Sequence, residues 1–223
     1  MTASTLLLSR RGSTRRLAAV AALAALSCVA GGAAAQSFPT KPVTLIVPFP
    51  PGSATDAVGR AMALQAAKAL GQQVIVENRP GAAGTMAAGT LAQGGNPDGY
   101  TVAIAPASLF RVPHVSKVGY DPIRDLTYIM NFSGYTFGLV VPESSPWKTV
   151  GEFIEYAKAN PGKVSVGASG TGSSGHVATH FLGLKSGAEI TFVPFKGGAE
   201  ALQAFIGGHI NAVIDGGWAQ VEK

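Results

Sequence analysis

The sequence predicts an α/β protein built on parallel sheets, and three observations carry that prediction. Short apolar runs rich in Val and Ile alternate with helical patterns from residue 43 onward. Those runs are apolar almost continuously rather than at every second position, as in strands covered on both faces. Gly-rich turns follow the strands, and cap residues open the helices, which is the rhythm of strand–loop–helix repetition.

The elements run in order along the chain. "VTLIVPF" (Val43 to Phe49) reads as a strand leading through "PPGSAT" into a helix, Asp56 to Gly71, with Asp56 as N-cap and Gly71 just past its end. "QVIVEN" (Gln73 to Asn78) is the next strand, and "RPGAAG" opens a second helix from Thr85 to Gln93. "NPDGY" is a turn ahead of the strand "TVAIAP". Met62 and Met86 fall in these helices and read as core residues. Beyond a connecting region, Thr127 to Pro142, the rhythm resumes. Thr149 and Glu152 form a T-x-x-E capping box on the helix "TVGEFIEYAKAN", stopped by Pro161-Gly162. "KVSVGAS", "EITFVPF" and "HINAVID" are strands, and "SSGHVATHFLGLKSG" and "GAEALQAFIGG" are helices. The pattern runs twice, which predicts two lobes, residues 36–136 and 137–223.

Residues 1–35 carry a different signal. "SRRGSTRR" is basic, "LAAVAALAALSCVAGG" is apolar and "AAAQ" is small, the order of a secretory signal peptide cleaved near Ala35/Gln36. The apolar run is short for a membrane span. The leader holds four of the seventeen basic residues and none of the twelve acids, so the remaining chain is nearly neutral, thirteen against twelve. The high isoelectric point therefore belongs to the leader and predicts no nucleic-acid surface. Cys28, the one cysteine, also lies there. The expected product is an exported, disulfide-free protein in the periplasm, held by its core. A chain of this length buries roughly 70% of the surface that it exposes when unfolded.

In parallel sheets, ligands sit beyond the carboxyl ends of strands, where helix N-termini present free N–H groups. Four loops qualify: "PFPPGSATD", "PGAAGT", "SGTGSSGH" and "PFKGGAE". Their glycines let backbone amides approach a ligand, and Ser53, Thr55, Thr85, Thr171, Ser173 and Ser174 add hydroxyls. Gly170, Gly172 and Gly175 spell the dinucleotide fingerprint G-x-G-x-x-G. A ribose-binding acid should end the next strand, yet Glu189 precedes it, so the loop fits another anion better, a carboxylate being the simplest. No cofactor is expected. His176 and His180 are four apart, but Val177 stands where a zinc-protease helix needs Glu, and no G-x-S-x-G elbow exists. No metal site and no catalytic residue are expected, so the chain reads as a binder rather than an enzyme. Asp215, ending an apolar strand, serves either as an N-cap for the next element or as a ligand contact.

Five ordered motifs extend the reading: "VTLIVPFPPGSATDAVGR", "VIVENRPGAAGT", "NPDGYT", "YDPIRDL" and "VSVGASGTGSSGHVATHF…ITFVPFKGGAEALQAFIGGHINAVID". Together they resemble the Bug (TctC-like) family, the periplasmic solute receptors of tripartite tricarboxylate transporters. The resemblance implies a two-lobed type II periplasmic-binding-protein (Venus flytrap) fold, incomplete at the C-terminus, because family members run well beyond the point where this chain stops. It implies a small carboxylate as ligand and integral membrane transporter subunits as partners, with the receptor acting as a monomer. Citrate and other di- and tricarboxylates, acidic amino acids, nicotinate and aromatic acids all belong to the family's ligand range.

Carried onto this sequence, the resemblance puts a first carboxylate clamp at Phe49, Gly52, Ser53, Ala54, Thr55 and Asp56. The second clamp is Ser169, Gly170, Thr171, Gly172, Ser173 and Ser174 with His176. Ala107 and Ser108 offer a further contact, and Lys196, Gly197 and Asp215 flank the cleft. Ser53 departs from the family, which usually has a second glycine there. Two rival functions stay open on the sequence: a ligand sensor for a signalling partner, and an exported α/β enzyme.

Overall fold

The computed structural model describes residues 38–94, 97–134 and 136–216, and in it the alternating pattern becomes two sheets. Both lie within one unit, Lys41–Lys223. The leader read in residues 1–35, with Cys28 and the cleavage point, lies outside the described residues.

The first sheet comprises β1 (Val43–Val47), β2 (Val74–Asn78) and β3 (Thr101–Ala103), in the order β2-β1-β3 and all parallel. Central β1 buries Val43, Leu45, Ile46 and Val47, so both its faces are covered. Helix α1 (Ala54–Leu70) joins β1 to β2. It lies so close that a Cβ on Gly59 would come within 2.9 Å of Val47 Cγ2. Gly71, at φ 65°, ends it by donating its N–H to the Ala67 carbonyl.

The start of α1 corrects the sequence reading. Ser53, not Asp56, is the N-cap: its backbone is extended and its Oγ accepts from the Asp56 N–H at 3.2 Å. Asp56 is the third helical residue, and its carboxylate turns back to the Gly52 N–H at 2.9 Å. The pair is a capping box shifted by one residue at its backbone end.

A 3₁₀ turn, Ala82–Gly84, precedes α2 (Met86–Gly94), where Met86 is half-exposed over Gly81 rather than in the core. After β3 a four-residue helix, α3 (Ser108–Arg111), and a second 3₁₀ turn, Val112–His114, occupy a stretch to which the sequence reading assigned no element.

The second sheet holds β4 (Gly138–Val140), β5 (Val164–Ala168), β6 (Ile190–Pro194) and β7 (Ala212–Asp215), in the order β4-β7-β5-β6. Strand β5 pairs parallel with β6 and β7, but β4 runs antiparallel to β7, so this sheet is mixed. Strand β4 sits at an edge and takes its direction from where the chain enters the sheet, not from a crossover helix. Helices α4 (Val150–Ala159), α5 (Ser174–Ser186) and α6 (Gly198–Ile206) complete this half. The Thr149–Glu152 capping box on α4 forms as the sequence predicts. Trp147, Phe153, Val164, Val166, Ala212 and Ile214 make one core, and Leu45, Val47, Ala63 and Ile104 another, one for each sheet. Among the described residues, no helix is long and apolar enough to cross a membrane.

Candidate functional site

Every loop that the sequence marks as a candidate leaves a strand at its carboxyl end, and the loops of the two sheets meet. A Cβ on Gly170 would lie 3.3 Å from the backbone N and Cα of Ala83. One on Gly172 would lie 2.8 Å from Val112 Cγ2, and one on Gly197 2.8 Å from Pro50 Cδ. Arg111 Nη2 donates to Ser174 Oγ at 2.7 Å, from the loop after β3 to the first residue of α5. The loops of the two sheets thus approach each other at three glycines and are bridged by the Arg111 side chain.

The first clamp is organised around Asp56. Its side chain is 5% exposed and accepts from the Gly52 N–H, Arg60 Nε at 3.0 Å and Asn78 Nδ2 at 2.8 Å. Asn78 Nδ2 also donates to the Phe49 carbonyl at 3.0 Å, and its Oδ1 accepts from Arg60 Nη2. Burial pushes the Asp56 carboxyl up. The hydrogen bonds from Arg60, Asn78 and Gly52 outweigh it and hold the group below its ordinary 3.8. Asp56 is therefore an ionised organiser of residues 49–53 with its oxygens committed to the protein. Gly52 turns the loop at φ 81°. Ser53 and Thr55 are buried, Ala54 is half-buried, and Phe49 packs its ring against Gly84.

Ser108 likewise faces the protein. Its buried hydroxyl donates to the Ala83 carbonyl at 2.6 Å, while Ala107 is exposed with its carbonyl near Arg111 Nε at 3.4 Å. Ala82 and Ala83 have φ of 47° and 56°, the left-handed region that non-glycine residues avoid. Each such residue costs about 1–2 kcal/mol. The loop "PGAAGT" is held in this form by the Ser108 and Thr85 hydroxyls, the latter donating to the Ala82 carbonyl at 2.9 Å.

In the second clamp each glycine of the fingerprint has a separate task. Gly170 and Gly172 turn at φ 78° and 87°. Gly175 lets α5 start directly against Ala168 Cβ and the Ile214 carbonyl. Ser173 is the N-cap, with Oγ accepting from the His176 N–H at 3.1 Å. His176 Nδ1 accepts from the Gly172 N–H at 3.1 Å, which fixes the neutral tautomer with its proton on Nε2. Burial, then the neighbouring His180, lowers the His176 pKa from 6.5, and its ring lies 4.4 Å from that of Phe192. With Nδ1 accepting a backbone proton, His176 is not paired as a base with a serine. Ser169 and Ser174 are half-buried and Thr171 is exposed at the loop's tip.

At the flank, Gly197 is buried against Pro50, whereas Lys196 is exposed and its backbone N–H donates to Glu200 Oε2 at 2.8 Å. Asp215 ends β7 opposite Gly138. Glu189 stands at the amino end of β6, across the sheet from the fingerprint loop. Pairwise, the structure brings 50 to 197, 83 to 170 and 112 to 172. Pro50 and Ala83 lie in loops that the sequence marks as candidates without singling either out, whereas Asn78, Arg111 and Val112 lie outside those loops. The signal for Asn78 was a polar residue ending an apolar strand, and for Ala83 the paired glycines around it. Arg111 and Val112 gave none.

Backbone N–H groups at two capped helix starts, hydroxyls and one arginine make a site suited to an anion. The chain matches the family described as "Tripartite tricarboxylate transporter family receptor" (TctC) over residues 58–221. It is 44% identical over 210 residues to a "UPF0065 protein in gbd 5'region" of Cupriavidus necator, covering 93% of this chain and 64% of that one. It is 31% identical to "Protein BugT" of Bordetella pertussis, covering 91% and 63%. Among solved structures, MatC from Rhodopseudomonas palustris with bound malate superposes at a TM-score of 0.73 and 32% identity. An R. palustris protein with adipate does so at 0.72 and 34%. Each of these two alignments covers 80% of this chain, against 61% of MatC and 60% of the adipate-bound protein. The chain therefore spans about 60% of the length of the relatives it matches, and its fold is that of their periplasmic binding proteins. By the family match over most of its length, the chain belongs to the tripartite tricarboxylate transporter receptor family.

Proposed function

We propose that the chain is an extracytoplasmic solute receptor that binds a small carboxylate between two lobes, residues 36–136 and 137–223, and delivers it to a tripartite tricarboxylate-type membrane transporter. The observation that carries this reading is the meeting of the two sets of carboxyl-end loops, Gly170 on Ala83, Gly172 on Val112 and Gly197 on Pro50. A solute held there touches both lobes at once, so binding favours the closed arrangement. Two capped helix N-termini, at Ser53 and Ser173, give attraction of about 0.3–1 kcal/mol each, and more where partly buried. Malate and adipate, bound by the two R. palustris relatives, are the first solutes to try.

The role is binding without chemistry, in the periplasm, after removal of residues 1–35. Ser173 Oγ and His176 Nδ1 accept from N–H groups of their own loop, and the Ser108 hydroxyl donates to the neighbouring loop at Ala83, commitments to the scaffold that favour a receptor over an enzyme. In this reading Asp56, Ser53, Ser108 and His176 shape the amides that meet the solute, and Gly52, Gly170, Gly172 and Gly197 let them approach.

A thermal-unfolding series tests the proposal. Malate, adipate, citrate, succinate, glutamate, nicotinate and NAD are each added in excess. A solute at about a hundred times its Kd stabilises the chain by about 2.7 kcal/mol, or roughly 5–10 °C for a chain of this size. A shift with a carboxylate and none with NAD supports the receptor. A shift with NAD alone, or with nothing, sinks it. Loss of uptake of the same solute in cells lacking the receptor tests the transport step.

A further inference from the structure

Arg111 ends α3 at the meeting of the two halves and is half-buried there. Its Nη2 donates to Ser174 Oγ at 2.7 Å, and Nε lies 3.4 Å from the Ala107 carbonyl. Both acceptors are neutral. The other arginine drawn into the candidate site, Arg60, has Asp56 beside it, and Arg79 and Arg124 have Glu77 and Asp125. Among the described residues, Arg111 has no carboxylate within ion-pair distance. A hydroxyl does not neutralise a guanidinium, and a cation drawn from water without a counter-charge is costly. A guanidinium also has five N–H donors in a planar fork that matches a carboxylate two at a time, and the two bonds here leave most of that fork uncommitted.

The setting adds to the imbalance. Ser174 is the first residue of α5, so the arginine stands beside the positive end of that helix. Val112, next in the chain, presses on Gly172, which fixes the backbone carrying Arg111 against the second clamp. Positive groups converge at this corner from both halves.

We propose that Arg111 is the charge-reading residue of the cleft, pairing with a carboxylate of the bound solute and, through Ser174, tying that ion pair to closure of the two halves. The proposal rests on the carboxylate-receptor reading. It also says what that reading leaves open: one end of the solute is selected for its full negative charge, and the rest is held by neutral amides and hydroxyls. An arginine is suited to this and a lysine less so, because the fork grips Ser174 and the carboxylate together.

The test is calorimetric titration of the chain and of its Arg111→Gln and Arg111→Lys variants. The probes are the carboxylates that shift wild-type melting, each compared with the analogue in which one carboxylate is a primary amide. Wild type is expected to prefer the acid by at least tenfold. Arg111→Gln is expected to bind the acid at least tenfold more weakly and to lose most of the preference for acid over amide. Arg111→Lys should keep part of both. A wild type that takes acid and amide equally overturns the proposal without any variant, and so does an Arg111→Gln chain that binds both as wild type does. Equal losses for acid and amide reveal a latch that reads no charge, which also overturns it. In all three of these outcomes the receptor reading stands. If wild type binds no carboxylate, both fall.

Discussion

The N–H of Gly172 donates to Nδ1 of His176, 3.1 Å away and one helical turn on, so a side chain of α5 closes the loop that precedes it. The bond exists only while Nδ1 keeps its lone pair. Burial, followed by repulsion from His180, holds the folded-state pKa of His176 below 6.5. The unfolded chain therefore binds the proton first as pH falls. The histidine's contribution is complete above about pH 6.5 and declines as pH drops through the lower folded-state value. Replacing His176 with Asn puts an amide oxygen near the place of Nδ1 and removes the titration. The variant should lose less melting temperature between pH 7 and 5 than wild type, and bind better than wild type at the acid end. Parallel melting curves for the two proteins across that range would contradict the assignment.

Asp56 gives the loop after β1 a different pH signature. Burial raises its pKa, but hydrogen bonds from Arg60, Asn78 and Gly52 prevail and lower it. Its stabilisation is complete above about pH 3.8 and is lost as pH falls through the lower folded value. Asp56→Asn cannot accept from all three donors: with its amide oxygen toward Gly52 and Arg60, its own NH2 faces that of Asn78, and the negative charge opposite Arg60 is gone. We expect a loss of about 2 kcal/mol at neutral pH, with the two proteins converging in acid. Denaturant unfolding at pH 7 and pH 3 checks this, and an equal difference at both pH values would refute it. Arg60→Ala should cost far less, within about 1 kcal/mol, because that side chain is 53% exposed.

Much of this architecture was legible because the signals were local. The strand–helix alternation, the Thr149–Glu152 box and the fingerprint loop each depend on residues within a few positions of one another. The fingerprint was legible sterically and ambiguous chemically: Gly170 and Gly172 turn and Gly175 packs, whatever anion the loop holds. Ser53-Ala54-Thr55-Asp56 carried a cap signal too, but Ser and Asp are both good caps, and spacing alone did not say which faced back. Three features lay beyond a local reading. A four-residue helix such as α3 is too short to show a period. Alanines at positive φ oppose their own propensity. The reach of Asn78 to Phe49 spans 29 positions and exists only once β1 and β2 pair.

On the receptor reading, Gly197 separates closure from folding. Its φ of −172° is open to any residue, yet a Cβ there would meet Pro50 Cδ at 2.8 Å, and a proline ring cannot swing aside. Gly197→Ala should leave the melting temperature of the free chain within a few degrees of wild type and weaken solute binding several-fold, because the halves must part to admit the methyl group. Gly52→Ala makes the contrast. At φ 81°, with nothing within 4 Å of the new Cβ, it strains the backbone without touching the other half. It should lower stability by about 1–2 kcal/mol. A Gly197→Ala chain that binds as wild type does would show that this contact is not needed for the bound state.

Ser108 and Ala83 form the last testable pair. The buried Ser108 hydroxyl donates to the Ala83 carbonyl at 2.6 Å, and Ala83 sits in left-handed backbone. Ser108→Ala removes the donor and leaves a buried carbonyl unsatisfied, at a cost of about 1–3 kcal/mol. Ala83→Gly should behave unlike the usual Ala→Gly change. Relief of about 1–2 kcal/mol of backbone strain exceeds or matches the 0.4–1 kcal/mol of added chain freedom, on the order given for such substitutions, so stability is unchanged or rises. The two changes share one loop and will not add. If the hydroxyl serves to hold the strained turn, Ser108→Ala should cost less in an Ala83→Gly background than alone. Denaturant unfolding of the two single variants and the double variant measures the coupling. Strict additivity would mean that the hydrogen bond and the strain are independent, and that Ser108 does not hold the amides of "PGAAGT" in place.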